Sequence, residues 1–565
     1  MTYAVEERTA PIVTVSYGTC EKGLTPSDAI YYGQVGDLAA MVGVTVLVAS
    51  GDTGAAGCDG EQESAGTQGL FVSFPAAIPS LLAIGGTEFD YGTKAPTAYW
   101  SASYAALSYI PEIGWNDTFV AHSQGLASSG GGYSVVFPRP YWQASALPSS
   151  SFRGVPDLAL SASAFTVPYI IYESWTVADG SGGTPFAEGP QAIGGTSAST
   201  PSFAGVLALV NQSINATVPG LGNAGPALYA LQTSAPLAFH DIVAGSNVVP
   251  CVAGTEDCPA GTTEYGHNAA VGYDLVTGLG SVDAFNLATA WSALTPTSTA
   301  LTVQGSGGTE PSTLTLTVGS NATSQVLAGN VTFYFNTFDT SNNPDLGYVL
   351  AEAPIVADIA DGGTEGATVT LTAPAPVGLT GASRIVAFYG GDTDYLASYS
   401  TAVSVTTTST LTVAPTSITL QPNEQTTFAT MGGAPPVSWT ILSDGTCNTA
   451  GTKCAESKSL TTTTGGFQAG PAVGIVVLQA LDSDFAEARV AITVAGAAVD
   501  GGELIPVDAS VDAGHDSGPP IAVPDAGEAD ASQPVEDAAT DASLDAQPSD
   551  DAATSDEDAG RGNDP

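Results

Sequence analysis

Residues 194–201 read Gly-Gly-Thr-Ser-Ala-Ser-Thr-Pro and run into the apolar segment Ser202–Val210. The glycines permit a tight turn, and the proline suits the first turn of the helix that the apolar segment predicts. Ser197 then stands at the helix start, where the positive end of the dipole favours negative charge developing nearby. A serine so placed can act as a nucleophile, or it can simply cap the helix. A second stretch, Ala49-Ser50-Gly51-Asp52-Thr53-Gly54, follows a short apolar strand, Val44–Val48. Outward from these two points, strand and helix alternate. Ile12–Ser16 reads as a strand, Asp28–Val42 as a helix, Val44–Ala49 and Leu81–Ile84 as strands, and Thr200–Asn211 as a helix. This alternation predicts an α/β domain over 1–295 with a mainly parallel sheet and its chemistry on loops after strand ends.

After Pro296 helical periodicity stops. Leu314–Val318, Val331–Phe335, Thr368–Leu371 and Arg384–Tyr389 read as short strands between turn signals, which predicts a β-sandwich over 297–406. Val386–Tyr399 resembles the closing strands of bacterial Ig-like repeats. A second, looser Ig-like unit is expected over 409–496, carried by Ala414-Pro415-Thr416, Phe428 and Gly432–Trp439. These modules read as spacers, or as binders of cell-surface or polysaccharide ligands. Residues 497–565 form an Asp/Ala/Pro/Ser tail whose charge and low hydrophobicity predict disorder.

The chain has 565 residues, with 10 Lys+Arg against 56 Asp+Glu. Such acidity argues against nucleic acid and anionic membranes as partners. It also suits work in acid: when carboxylates neutralise, few cations remain to repel one another. No apolar run reaches the roughly 20 residues of a spanning helix. The six cysteines fall into local groups, Cys20 with Cys58, Cys251 with Cys258 and Cys447 with Cys454. An even count with two short-loop pairs suggests disulfides and an oxidising compartment. Met1–Pro11 lacks the apolar core of a signal peptide.

Over residues 1–295 the chain resembles the sedolisin family, the serine-carboxyl peptidases. The resemblance rests on ordered stretches: Ile12–Gly18, Gly43–Leu47 with Ser50-Gly51-Asp52, Phe74-Pro75-Ala76-Ala77, Gly130–Ser134, Arg153-Gly154-Val155-Pro156-Asp157, Gly195-Thr196-Ser197, Phe239–Ile242, Gly272-Tyr273-Asp274 and Thr277–Gly280. It implies a subtilisin-like fold, with Ser197 as nucleophile and Asp52 as a protonated acid that donates to the oxyanion. It implies polypeptide substrates, an acyl-enzyme on Ser197 and an extracellular setting. Only four histidines are present, none in a Ser/His/Asp arrangement. A histidine base would be protonated well below its pKa of about 6.5, whereas a carboxylate base works in acid. The resemblance places that glutamate base and its aspartate partner on a helix upstream of the strand Ile12–Ser16. Glu6 and Glu7 lie too close to that strand and read as a solvated helix face. The base is therefore expected to be missing from this chain, together with a strand of the sheet, through a misplaced start or a broken gene. A chain so truncated is expected to be inactive.

The resemblance further implies one calcium ion, held by Asp241 and Asp274 through side chains and by Ile242, Ala270 and Gly272 through carbonyls. It places Ser129, Gly130 and Gly131 along the substrate cleft, where glycines would let a peptide backbone approach. His240 reads as a packing residue. The rival reading is a non-enzymatic secreted adhesion or binding protein on a degenerate peptidase fold.

Overall fold

A computed structural model describes residues 1–495, apart from 25, 104, 121–124, 177–185, 215–219, 305–312, 321–326, 339–343, 356–365, 373–381, 407–410, 433–436, 445, 447–454, 461–463, 473 and 482–486. The 497–565 tail, Cys447 and Cys454 lie outside the described residues.

The first half is built on β1 (Ile12–Val15), β2 (Thr45–Ala49), β3 (Leu82–Phe89) and β4 (Glu112–Gly114), hydrogen-bonded in that order. A hairpin of β5 (Gly132–Pro138) and β6 (Phe152–Val155) leads into β7 (Leu158–Ser161), which joins the sheet beside β3. The β1–β2, β2–β3 and β3–β7 pairs are parallel, and only β4 runs against β3. This is the mainly parallel sheet that the alternation predicts. Every residue of β2 is buried, as its unbroken apolar run requires of a strand covered on both faces. β3 runs past the predicted Leu81–Ile84 because Gly85 and Gly86 continue it. A Cβ there would press on Pro156 and on Ala162 and Trp115, so glycine allows the neighbouring segments to close in. A second hairpin, β8 (Tyr169–Thr176) with β9 (Phe186–Ile193), precedes the Gly-Gly turn.

Among the described residues five α-helices surround the sheet: α1 (Thr2–Glu6), α2 (Pro26–Val42), α3 (Thr196–Ser213), α4 (Gly225–Ser234) and α5 (Ala284–Ala293). Phe203, Leu207 and Val210 of α3, Leu228 and Leu231 of α4, and Leu287 and Trp291 of α5 share one core with Leu47, Leu82, Ile84 and Leu158 of the sheet. Leu38, Ala39 and Val42 of α2 close a second core over the other face with Val46, Val48 and Ala83. No helix among the described residues is long and apolar enough to cross a membrane.

Among the described residues the second half is all β. Strands β10 (Thr297–Gln304), β11 (Thr313–Ser320), β12 (Asn330–Phe338), β13 (Pro344–Pro354), β14 (Gly366–Thr372), β15 (Ala382–Tyr389), β16 (Ser398–Tyr399) and β17 (Val403–Thr406) form two sheets. One runs β10-β11-β14 and the other β13-β12-β15-β16, with β17 also on β15. Leu314, Leu316 and Val318 of the first sheet pack on Val331, Phe333, Phe335 and Ile385 of the second. A further pair of sheets follows, from β18 (Leu411–Ala414), β19 (Ser417–Leu420), β20 (Gln425–Gly432), β21 (Ser438–Asp444), β22 (Glu456–Leu460), β23 (Thr464–Gln468), β24 (Gly474–Leu481) and β25 (Glu487–Val494). Phe428, Trp439 and Phe467 lie in its core. Thr297 and the strands after it are sewn to the first half: Thr295 N donates to Asp394 O and Leu396 N to Thr295 O, each at 2.8 Å.

Candidate active site

Gly195 is the N-cap of α3, with φ +83°, a left-handed conformation that glycine adopts freely. The helix starts at Thr196, ahead of the predicted Thr200, because the turn and not the apolar period sets its beginning. Pro201 therefore lies inside the helix rather than in its first turn. Having no N–H, it cannot bond the carbonyl of Ser197. The Ser16 hydroxyl, at the end of β1, donates to that carbonyl instead at 3.1 Å. A strand end thus holds the first turn of the helix, and Ser197 stays exposed at its tip while its neighbours Thr196, Ala198 and Ser199 are buried. The Ser199 hydroxyl donates to the carbonyls of Gly85 (2.9 Å) and Thr196 (3.0 Å), which leaves Ser197 as the outward-facing serine of the pair.

Asp52 follows β2 and meets the same turn. Its Oδ1 accepts from Thr196 N at 2.7 Å and from the Thr196 hydroxyl at 2.6 Å, and Gly51 N donates to that hydroxyl at 3.2 Å. Its Oδ2 lies against Gly195, where a Cβ would stand 2.5 Å away. Gly195 is therefore required twice, by backbone conformation and by this approach. Desolvation raises the carboxyl above its ordinary value, outweighing the two Thr196 bonds that favour the charge. Since both donors meet Oδ1, the proton of a neutral Asp52 belongs on Oδ2.

The segment 126–131 runs beside Asp52. Ser128 N donates to Asp52 O and Gly130 N to Gly51 O, both at 2.8 Å. Ser129 is fully buried: its hydroxyl donates to Val276 O (2.8 Å) and accepts from Gly86 N (2.9 Å). Its side chain is thus committed inside the protein. A Cβ at Gly130 would collide with the carbonyl of Ser50, and one at Gly131 with that of Leu275. These glycines are required by the chain's own packing.

Sequence reasoning passed over Glu61. Desolvation first and the charge of Asp52 second push its carboxyl up, which places it in the electrostatic reach of Asp52. Nothing in the local sequence separates it from any other exposed acid. Glu6 and Glu7 fall at the end of α1. The Arg153-to-Asp157 stretch proves to be architecture. Arg153 Nη1 and Nη2 meet Asp157 Oδ1 and Oδ2 at 2.7 and 2.6 Å, both side chains fully buried. Asp157 also accepts from Ala83 N (2.8 Å) and Tyr229 Oη (3.0 Å), tying β3 and α4 to the strand beside them.

Asp241 and Asp274 converge on one turn. Asp241 accepts from Gly272 N at 3.2 and 3.0 Å, and Asp274 accepts from Ala270 N at 3.0 Å. Asp274 also takes Val276 N and Thr277 N, each at 2.8 Å, yet desolvation still raises its carboxyl. Carboxylate oxygens are the donor type that a hard cation takes. Among the described residues no three His, Cys, Asp or Glu side chains cluster, so carbonyls would have to complete the set. His240 stacks on Tyr109 with ring centroids 3.7 Å apart. Cys20 is bonded to Cys58 and Cys251 to Cys258.

Comparison with known proteins adds to this geometry. Residues 1–225 match the subtilase family. Kumamolisin of Bacillus sp. (strain MN-32) is 35% identical over 278 residues, 48% of this chain and 40% of that protein. Sedolisin of Pseudomonas sp. (strain 101) is 31% identical over 282 residues, 50% of this chain and 40% of that protein. Mouse tripeptidyl-peptidase 1 is 34% identical over 237 residues, 38% and 33% of the two chains. Among solved structures, Pseudomonas sedolisin complexed with pseudo-iodotyrostatin matches at 28% identity with a TM-score of 0.39, covering 51% of this chain and 67% of that one. The chain spans 40% of the length of the kumamolisin and sedolisin sequences it matches.

Proposed function

Because the first half of this chain belongs to the sedolisin family of serine-carboxyl peptidases, we propose that it carries the nucleophile and oxyanion groups of an acid-acting peptidase that hydrolyses polypeptides outside the cell. The observation that supports the reading is the pair of bonds from Thr196 to Asp52 across 144 residues, which holds Asp52 beside the turn that carries Ser197. Ser197 Oγ bonds to the scissile carbonyl carbon, and the π pair moves onto the carbonyl oxygen. The Oδ2–H of a neutral Asp52 donates to that oxygen; a carboxylic acid kept neutral by its surroundings can fill such a role. The serine proton needs a base that remains ionised in acid. The family resemblance places that base, a glutamate, on a helix upstream of β1. Asp241 and Asp274, with the carbonyls of Ile242, Ala270 and Gly272, would hold one calcium ion that rigidifies the turn beyond the cleft. Ser129, Gly130 and Gly131 would contribute to the cleft through backbone groups alone. Disulfides support an oxidising, extracellular setting.

A peptide aldehyde tests the reading without a complete catalytic set. Addition of Ser197 Oγ to the aldehyde carbon, with the serine proton passing to the new hydroxyl, needs the nucleophile and the oxyanion donor. Calorimetry at pH 4 on the full chain should show binding that Ser197→Ala abolishes and Asp52→Ala weakens at least tenfold. Equal binding by Ser197→Ala overturns the assignment and favours a non-enzymatic binding protein.

A further inference from the structure

The outer side of α2 is covered by the first β-sandwich. Ala40 and Met41 form one apolar cluster with Tyr334 of β12 and Val386 and Phe388 of β15, with Val349, Ala397 and Tyr399 packed around it. β13 comes so close that a Cβ at Gly347 would collide with the backbone of Leu38. Tyr399 Oη donates at 2.7 Å to Ala40 O, a carbonyl of the last helical turn that also accepts from Gly43 N at 3.2 Å. Beside this seam lies a cavity of about 320 Å³, walled by α2, the 137–142 segment and strands of both sandwiches.

Two carboxylates from different modules line that cavity: Asp37 of α2 and Glu352 of β13. Glu352 Oε1 accepts from the Thr332 hydroxyl at 3.4 Å, and Asp37 Oδ1 accepts from the Ser80 hydroxyl. The other ionisable groups around the cavity are Arg139, Tyr141, Tyr334 and Arg489, with Tyr399 close by. Tyr141, Tyr334 and Tyr399 are raised by burial and stay neutral through the physiological range. Arg139 Nη1 donates to Leu147 O. Arg489 reaches the cavity from β25, on the second sandwich. The charge that bears on Glu352 is that of Asp37.

We propose that Glu352 and Asp37 form a proton-operated latch, which holds the first sandwich on the peptidase domain in acid and loosens it toward neutral pH. Two like charges on the wall of one cavity repel, and the protein around the cavity weakens the screening that bulk water supplies. One proton on Glu352 removes that repulsion. The Glu352 side chain is exposed, yet desolvation of its carboxyl first and Asp37 second push it up to about 7, which puts the transition between an acidic medium and a neutral one. The sandwich is thus a pH-dependent brace for α2 and the sheet beneath it, rather than a passive spacer.

Hydrogen exchange on the full chain at pH 4.5 and pH 8, corrected for intrinsic rates, tests the latch. Amides of residues 36–42 and 347–352 should be at least tenfold better protected at pH 4.5. In Glu352→Gln they should keep the acid level of protection at pH 8, and Asp37→Asn should act in the same direction should the first variant fold poorly. Equal protection of the wild type at both pH values overturns the latch. So does undiminished loosening at pH 8 in either variant, which would assign it to the general pH dependence of the domain.

Discussion

Replacing Glu21 by glutamine should remove a large part of the acid stabilisation of this protein. Glu21 is 1% exposed. It accepts from the Ser134 hydroxyl at 2.5 Å and from Val135 N at 2.9 Å, pinning the loop after Cys20 to β5. Both bonds favour the charged form, but desolvation outweighs them and lifts the carboxyl from 4.5 to about 7. At about 1.4 kcal/mol per pH unit, that difference is worth about 3 kcal/mol. Between these two pH values the folded chain binds the proton and the unfolded chain does not. Stability therefore rises as pH falls from about 7, and the gain is complete below about 4.5. Glutamine cannot ionise, so its contribution is flat. It has its own constant cost: Ser134 Oγ already accepts from Val136 N (3.1 Å) and Phe137 N (2.8 Å), so the glutamine NH₂ finds no acceptor there, at about 1–3 kcal/mol. Urea unfolding at pH 4.5 and 8, followed by tryptophan fluorescence, separates the two effects. The raised carboxyls of Asp52, Glu88 and Asp274 and the lowered imidazole of His267 are common to both proteins and cancel in the comparison. The wild type should gain about 3 kcal/mol more than Glu21→Gln on acidification. An equal gain in both would refute the burial argument, whatever the absolute stabilities.

Asp157→Ala should destabilise the first half by about 3–5 kcal/mol, because Arg153 would be left charged and unpaired where both partners are now 0% exposed; a denaturation midpoint close to that of the wild type would contradict this. Ser16→Ala should leave the fold intact yet weaken peptide-aldehyde binding several-fold, since it frees the Ser197 carbonyl that Pro201 cannot engage; the readout is the binding constant beside an unchanged melting curve. Calcium should raise the thermal midpoint by mass action, and Asp241→Ala should erase the rise; identical melts in calcium and chelator would remove the ion from the account. Non-reducing peptide maps should show Cys20–Cys58 and Cys251–Cys258 as linked pairs, and Cys447–Cys454 as a third.

Much of the first half was legible in the residues because its signals are local. The apolar run at Val44–Ala49 needs no distant information to be a buried strand, and the Gly-Gly-Thr-Ser turn places a serine at a helix start wherever the chain folds around it. The ordered motifs carry the resemblance to the sedolisins for the same reason, since each is a short segment whose geometry is its own. Helix α2 shows where local reading stops. Its outward residues Ala40 and Met41 are as apolar as its inward ones, a pattern that a helix adopts only when covered all round. The sequence contains that pattern but not the identity of the cover, because the covering strands begin some three hundred residues later. The same limit applies to charge. Glu21, Asp52 and Glu61 are alike as letters, and what distinguishes them is burial and the donors that tertiary contacts bring: Ser134 for one, Thr196 for the second, the field of Asp52 for the third. The sequence by itself determined which residues could do the chemistry. Only the tertiary structure decided which of them lose their water, and with it the proton each one holds, because desolvation depends on segments far apart in the chain packing together.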